Sequence, residues 1–96
     1  MKIWVAMIFT LIALAKLAYG QAELKLSWDH AVTNQLGFQA ERVGNGESRL
    51  LEYGATQRSA IDSGLKKNTR YEYRLRALYD EGESEWTNWV KGKTGK

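Results

Sequence analysis

Three neighbouring residues have the side-chain types of a nucleophilic triad. They are Ser27, Asp29 and His30, and His30 is the only histidine in the chain. In a working triad the imidazole takes the proton of the hydroxyl while the carboxylate orients the imidazole, so the three groups must converge in space. Neighbours in sequence at the end of a strand, such as Asp29 and His30, point in different directions. We therefore predict a solvated histidine, no catalytic residue and no enzymatic activity.

A second chemically capable group is an acidic stretch, which contains Asp80, Glu81, Glu83 and Glu85. Carboxylates are good calcium ligands, but this spacing does not match the twelve-residue calcium loop. The chain has no cysteine, which excludes a disulfide scaffold and a thiolate metal site. We expect no metal ion and no other cofactor, and we interpret the acidic stretch as a solvated turn.

The tryptophan pair Trp86 and Trp89 allows two interpretations. In a regular strand the two residues have opposite parity, whereas in a polyproline-like segment with three residues per turn they lie on the same side. In the second case their rings can interleave with Arg74 and Arg76, each contact contributing ~0.5 to 2 kcal/mol. This pattern favours a structural role. The alternative is a sugar-stacking surface formed with Tyr79.

The segment before the acidic stretch alternates strictly between apolar and charged residues. One parity carries Tyr71, Tyr73, Leu75 and Ala77, and the other carries Arg70, Glu72, Arg74 and Arg76. A period of two places the apolar residues on one face of a strand and the charges on the other. Because it contains two large aromatic residues and no proline, we predict a central, half-buried strand over residues 70–79.

Shorter segments with the same period predict the rest of the fold. The turn signal Gly44-Asn45-Gly46 separates two of them, since these residues tolerate positive φ. The predicted strands are residues 23–28, 36–43, 49–53, 60–63, 70–79 and 86–92. Six short strands separated by turn signals, without helical periodicity after residue 20, indicate an all-β fold, a small antiparallel sandwich.

The first twenty residues resemble an export signal. A basic start is followed by an apolar run from Ile3 to Ala15, and small residues stand at Ala18 and Gly20. Cleavage there would leave an exported domain of residues 21–96, extracellular or periplasmic. The alternative is an uncleaved membrane anchor, but the run is shorter than the ~20 residues of a spanning helix, and Lys16 interrupts it.

The charge balance argues against a nucleic-acid partner. The full chain has 14 Lys and Arg against 11 Asp and Glu, a formal net charge of +3. Without Lys2 and Lys16 of the leader the balance is 12 against 11, a net charge of +1. The basic residues alternate with acidic residues and form no stripe, so we expect no nucleic-acid binding.

In order and spacing, five segments resemble a fibronectin type III domain of bacterial or phage extracellular proteins, which has an immunoglobulin-like sandwich fold. These segments are residues 24–28, 37–42, 61–65, 69–77 and 82–88. The resemblance implies a tyrosine corner at Tyr71, with its ring in the core and its hydroxyl on backbone. It also implies core roles for Trp28 and Leu65. We assign structural roles to Trp28, Leu65, Tyr71, Tyr73, Arg74 and Arg76.

The sequence departs from this family at the front. Members carry a strand A before the strand that ends at Trp28, whereas the predicted mature chain offers only residues 21–23 there, so strand A is predicted to be missing. The strand that ends at Trp28, strand B of the family, would then have an unpaired edge. This edge would recruit a partner's extended segment or a second copy of the chain. In the alternative interpretation the edge is short and is blunted by Lys25.

The resemblance implies an exported, non-catalytic binding or adhesion module. Recognition in this family falls on loops at one end, which we place at residues 29–35, 44–48 and 79–83; polar loops without core roles suit this on physical grounds. The candidate binding residues are His30, Asn34, Asn45, Tyr79, Asp80, Glu81, Trp86 and Trp89. Two alternatives remain: a carbohydrate-contacting domain that uses the exposed aromatics, and a structural subunit of an envelope or virion assembly.

Overall fold

The computed structural model describes residues 9–18, 21–30 and 34–95, and every regular element in these ranges is a β-strand. The strands are β1 (Phe9–Ala18), β2 (Gln21–His30), β3 (Gly37–Gly44), β4 (Glu47–Gly54), β5 (Ser59–Leu65), β6 (Arg70–Tyr79), β7 (Gly82–Glu83) and β8 (Val90–Lys93). Within the described ranges there is no helix long and apolar enough to cross a membrane.

The strands form two sheets, and every pairing is antiparallel. The first sheet has the order β1-β2-β5. The second has the order β4-β3-β6-β7, and β8 also pairs with β6. The predicted all-β sandwich is confirmed. The predicted central strand at residues 70–79 coincides with β6, which pairs with β3 on one side and with β7 and β8 on the other.

The core follows the alternation seen in the sequence. On β6 the residues of one parity are buried and those of the other parity are partly exposed. The same pattern holds on β2 and at the start of β3. The buried core cluster consists of Leu24, Leu26, Trp28, Phe38, Ala40, Tyr71, Tyr73, Leu75 and Ala77. Inward-facing residues from the two sheets therefore fill the space between them, as in other aligned sandwiches.

In the full chain, the first strand occupies the place of the strand A that is predicted to be missing from residues 21–96. Residues Phe9–Ala18 pair antiparallel with β2 along its whole length, with Ala13 opposite Leu26 and Leu11 opposite Trp28. An apolar run satisfies the pattern of an export signal and also that of an extended strand, and pairing supplies partners for the backbone groups of the β2 edge. In the full chain this edge is covered. Residues 1–8 and 19–20 of the predicted signal lie outside the described part of the chain.

The corner between β5 and β6 is closed by hydrogen bonds from side chains to backbone. The Lys66 amide donates to the Tyr71 hydroxyl at 3.0 Å, and the Tyr71 ring is 3% exposed. The hydroxyl of Thr94 donates to the Lys66 carbonyl at 2.6 Å and accepts from the Thr69 amide at 2.9 Å. The chain after β8 is thereby joined to the same corner.

At Gly44 the strand β3 passes close to this corner. A Cβ atom there would lie 2.4 Å from Cδ1 of Tyr71 and 2.8 Å from the Arg70 carbonyl oxygen. Both distances are shorter than van der Waals contact, and the Arg70 oxygen belongs to the backbone, which cannot swing away. Glycine at this position therefore lets β3 and β6 approach each other beside the buried tyrosine ring.

Candidate functional site

One end of the sandwich gathers three loops, which we call the loop end: residues 34–36, 55–58 and 79–83. They meet because β2, β4 and β6 all finish on this side of the molecule. The side-chain amide of Gln35 donates to the Ala55 carbonyl at 2.7 Å, and the backbone amide of Leu36 donates to the Leu78 carbonyl at 2.7 Å. These bonds join the first loop to the middle loop and to the end of β6.

The middle loop of the loop end is braced by Arg58. Its guanidinium donates to the carbonyls of Ala55 at 3.1 Å and Gln57 at 3.0 Å, and it lies 5.1 Å from the ring centroid of Phe38. The Gln57 side chain adds a bond to the Ser59 carbonyl at 2.9 Å. These contacts hold the loop in one conformation without using the side chains at its tip.

Several side chains of the loop end are exposed and have no role in the core. Leu36 is 60% exposed, and Asn34, Asp80 and Glu81 are also exposed. Asn34 has φ of 79°, a left-handed conformation that asparagine tolerates better than most residues. Tyr79 is partly buried, and burial raises the pKa of its phenol. The structure thus brings four of the predicted binding residues together, namely Asn34, Tyr79, Asp80 and Glu81.

The predicted binding loop at residues 44–48 belongs to the opposite end of the molecule. In the β-ladder Gly44 pairs with Glu47 and Tyr71, whereas Gly37 pairs with Gly54 and Leu78. Successive turns of antiparallel strands alternate between the two ends, so the turn after β3 cannot join the loops after β2 and β6. Asn45, with φ of 53°, is therefore a turn residue remote from the loop end.

His30 closes β2 and is in register with Phe9 of β1. Residues 31–33 of the predicted binding loop lie outside the described residues. Among the residues that the structure describes, no group of three or more His, Cys, Asp or Glu side chains is arranged to hold a metal ion.

The outer face of β6 carries a stack of alternating guanidinium groups and indole rings, which we call the Arg–Trp ladder: Trp89, Arg74, Trp86 and Arg76. The Arg74 guanidinium lies 4.5 Å from the Trp86 centroid and 4.6 Å from the Trp89 centroid, and that of Arg76 lies 4.3 Å from Trp86. All three contacts are within cation–π range.

Two residues of β3 hold the guanidinium groups of the ladder in place. Arg74 donates from Nε to a carboxylate oxygen of Glu41 at 2.7 Å, and its Nη2 lies 2.6 Å from the same oxygen. Arg76 donates from Nε and Nη2 to the side-chain oxygen of Gln39 at 2.9 and 2.7 Å. Each pair is directly opposite in the β-ladder. These bonds fix the positions of the two guanidinium groups that contact the indole rings.

The segment between β7 and β8 explains why both tryptophans lie on the same side. The predicted strand at residues 86–92 is wrong at its start, since regular pairing begins only at Val90. Instead, Ser84 bonds to the backbone of Ala77 through both its amide and its hydroxyl, and Thr87 bonds to Leu75 in the same way. Three residues of this segment thus span two residues of β6. A three-residue repeat places Trp86 and Trp89 on one face.

The two indoles differ in how much ring surface remains available. Arg74 and Arg76 are separated by roughly 6.5 to 7 Å along the strand, so a ring within 4.5 Å of both guanidinium groups lies between them. Both faces of Trp86 are therefore occupied. Trp89 contacts Arg74 alone and is 41% exposed. Within the ladder, Trp89 is therefore the indole with more ring surface available to a ligand.

A buried polar cluster links the two sheets, and the sequence analysis did not assign it. Arg42 of β3 donates from Nη1 to both carboxylate oxygens of Asp62 of β5 at 2.9 Å, and the Tyr73 hydroxyl donates to Asp62 at 2.7 Å. The Arg42 and Asp62 side chains are only 12% and 9% exposed. The signal available in the sequence was parity, because Arg42 follows Phe38 and Ala40 at inward-facing positions.

The cluster changes the acidity of the tyrosines around it. Burial raises the pKa of Tyr73, and the hydrogen bond to Asp62 raises it further. Burial raises the pKa of Tyr53 to about 12, with a smaller contribution from the Asp62 charge. Burial by itself would lower the pKa of Arg42, but the hydrogen bond and charge of Asp62, together with Tyr73 and Tyr71, raise it above its usual value. The folded state therefore favours neutral phenols and a charged guanidinium.

Comparisons with known proteins identify the fold. No protein-family profile matches the sequence, and no curated protein matches it. The structure is similar to the fn3 domain of the human collagen alpha-1(XX) chain, with a TM-score of 0.77, 19% identity, and coverage of 88% of this chain and 80% of that chain. It is similar to the FN5 domain of Drosophila Lar, with a TM-score of 0.70, 16% identity, and coverage of 91% and 92%.

A third similar structure is an Fn3-like protein from Clostridium thermocellum, with a TM-score of 0.67, 20% identity, and coverage of 91% of this chain and 92% of that chain. The resemblance to fibronectin type III domains is thus confirmed at the level of the fold.

Residues 21–96 make up less than four-fifths of the chain, so matches covering 88% or 91% of it include residues before Gln21. The superposition therefore extends into the part of the chain that contains β1.

We predict that the domain loses stability in alkaline solution because of its buried phenols. A pKa raised above the ordinary value of 10 means that the unfolded chain releases the proton first. The contribution of these phenols to the free energy of unfolding is therefore full below pH 10 and falls as the pH rises from 10 to 12. Urea denaturation between neutral pH and pH 12 measures this decline. The Tyr53→Phe variant should show a shallower decline above pH 10, and an unchanged slope would contradict the assignment.

We predict that Trp86→Ala destabilises the domain more than Trp89→Ala. Trp86 contacts two guanidinium groups and Trp89 contacts one, and each such contact contributes ~0.5 to 2 kcal/mol. Trp89→Ala is the matched control, since it removes the same side chain from the exposed end of the ladder. Free energies of unfolding from urea titrations provide the comparison. Equal losses for the two variants would contradict the larger contribution assigned to Trp86.

Proposed function

We propose that this chain, which has the fibronectin type III fold, is an exported, non-catalytic binding module that contacts a protein ligand with its loop end. The observation that carries the proposal is a rigid base beneath exposed side chains. The bonds of Gln35, Leu36 and Arg58 fix the backbones of the first two loops, and the pairing of β6 with β7 closes the third. The exposed side chains at their tips take no part in that framework, so they are free to contact a partner.

The chemistry of the loop end indicates the kind of ligand. Leu36 offers an apolar contact that is 60% exposed, and the neighbouring turn presents the exposed carboxylates of Asp80 and Glu81. An apolar anchor beside acidic groups suits a protein surface with an apolar depression bordered by Lys or Arg side chains. The Arg–Trp ladder is less suitable as the main contact surface, because its guanidinium groups and the Trp86 ring are already engaged with each other.

Export is the second part of the proposal and depends on the leader pattern of residues 1–20. Expression in a secreting host, followed by intact-mass measurement, tests it. We expect a product that begins at Gln21 in the periplasm or the medium. Full-length chain retained in the cytoplasm would contradict export, and full-length chain in the membrane fraction would favour an uncleaved anchor.

The loop-end proposal is tested with a matched pair of triple variants. The first carries Leu36→Ser, Asp80→Ser and Glu81→Ser. The control carries Leu50→Ser, Glu47→Ser and Lys67→Ser, which removes one exposed leucine and two exposed charges away from the loop end. All six positions are exposed, so both variants should fold.

Flow cytometry with the fluorescently labelled chain measures binding to cells of the source organism. We expect the loop-end variant to lose binding by about tenfold or more, equivalent to ~1.4 kcal/mol, and the control to bind like the unmodified chain. Equal binding by both variants would overturn the loop end as the contact surface. Binding on a glycan array that disappears in Trp89→Ala would instead favour the carbohydrate-contacting alternative.

A further inference from the structure

The edge of β2 has a feature that the proposed loop-end contact does not use. In the first sheet β2 lies between β1 and β5, and β1 covers its outer edge over ten paired residues, from Gln21 to His30. Without β1 this sheet would contain only β2 and β5. A two-stranded sheet is marginal in water, and a long unpaired edge presents a row of free backbone donors and acceptors.

The edge also adjoins the most buried part of the first sheet. With β1 in place, Leu24 and Leu26 are fully buried, Ala22 is 2% exposed and Trp28 is 3% exposed. Removal of β1 would open one flank of these residues to water. The free energy of filling this edge therefore includes both backbone hydrogen bonds and apolar burial.

We propose that the β2 edge is a strand-acceptor site, which opens when residues 1–20 are removed and then binds an extended, mainly apolar segment of a partner protein antiparallel to β2. The strand that covers the edge in the full chain, β1, is the same segment whose composition predicts an export signal. The site thus depends on removal of the leader, which belongs to the proposed function, but not on the loop-end contact.

The chain's own β1 defines the chemistry of the segment that fits. The residues of β1 opposite the four buried positions of β2 are Leu or Ala: Leu17 opposite Ala22, Ala15 opposite Leu24, Ala13 opposite Leu26 and Leu11 opposite Trp28. The only charged residue of β1, Lys16, is opposite Glu23. A fitting segment therefore has small or medium apolar residues at alternate positions and a basic residue near its end.

A free extended segment suits this site better than a second copy of the domain. In the full chain β1 pairs with β2 and also approaches β8 of the facing sheet. A segment that replaces β1 would therefore lie along the side of the sandwich where β2 and β8 face each other. A second copy could offer only its own open β2 edge, whose apolar residues already pack in its own core, so it would add backbone bonds but no apolar side chains to this site. A chain beginning at Gln21 also has no residues before β2 to contribute as a donor strand.

The test starts from the full chain with a specific protease site inserted between Gly20 and Gln21. After cleavage, residues 1–20 are separated from the nicked protein by size-exclusion chromatography in dilute urea. The nicked protein is then mixed with a fluorescent peptide of residues 9–18 carrying a lysine tag, and fluorescence anisotropy measures uptake. We expect saturable binding at one peptide per domain by the nicked protein and none by the uncut protein, whose edge is covered. Cleavage in vitro makes the result independent of export and of the loop end.

The control is the same peptide with Ala13→Pro and Leu14→Pro. Adjacent amides of a strand face opposite sides, so one of the two prolines must remove a bond to β2, and we expect at least about tenfold weaker binding. If the nicked protein unfolds, the unmodified peptide of residues 9–18 should refold it and the proline variant should not, as measured by circular dichroism. A folded, monomeric nicked protein that takes up no peptide would overturn the proposal. So would a nicked dimer that the peptide does not dissociate, which would identify a second copy as the occupant.

Discussion

The ion pair between Arg42 and Asp62 is the interaction on which the arrangement of the two sheets depends. It joins β3 of one sheet to β5 of the other, and Tyr73 of β6 adds a third member. Both charges stand at inward-facing positions where the other residues of the core are apolar. Burying either charge alone would cost several kcal/mol, but together with the Tyr73 hydroxyl they satisfy each other. The two sheets are therefore held in one relative position by directional bonds as well as by packing.

The alternation of β3 and β6 separates this core from a second ordered surface outside. Inward positions carry the core and the ion pair, and outward positions carry Gln39, Glu41 and the two arginines that they hold. The fixed guanidinium groups in turn support the indoles of a segment that has no regular strand pairing. The side chains on the outer face of β6 thus position the segment that leads into β8. The loop end lies at the finish of the same strands, which explains why its backbone is fixed while its tips are exposed.

Alternation predicted β6 to the residue, because every inward position there is apolar and every outward position is charged before Leu78. The same rule missed the ion pair, since it treats each polar residue as outward-facing and cannot see that Arg42 and Asp62 lie across from each other. The three-residue spacing of Trp86 and Trp89 predicted the correct alternative for the Arg–Trp ladder, but no sequence pattern indicates the bonds of Ser84 and Thr87 that fix it.

Two further features show what composition leaves open. The run at residues 9–18 has the composition of an export signal and also the pattern of a strand, so its pairing with β2 in the full chain was not predicted. The turn at Asn45 was grouped with the wrong loops because a sequence shows turn signals without showing at which end each turn lies. The register of β3 against β6 pairs Gly44 with Tyr71, which places the turn at Asn45 at the end of the sandwich opposite the loop end.

The measurement that tests this account most directly is the free energy of unfolding of Asp62→Asn, with Glu47→Gln as its control. Asp62→Asn keeps the shape of the side chain but leaves the buried Arg42 without its counter-charge, and we predict a loss of about 3 to 5 kcal/mol. Glu47 pairs with Arg49 at 3.8 Å on the exposed surface, so its substitution should change stability by less than about 1 kcal/mol. Losses of equal, small size for the two variants would contradict the central role of the buried ion pair.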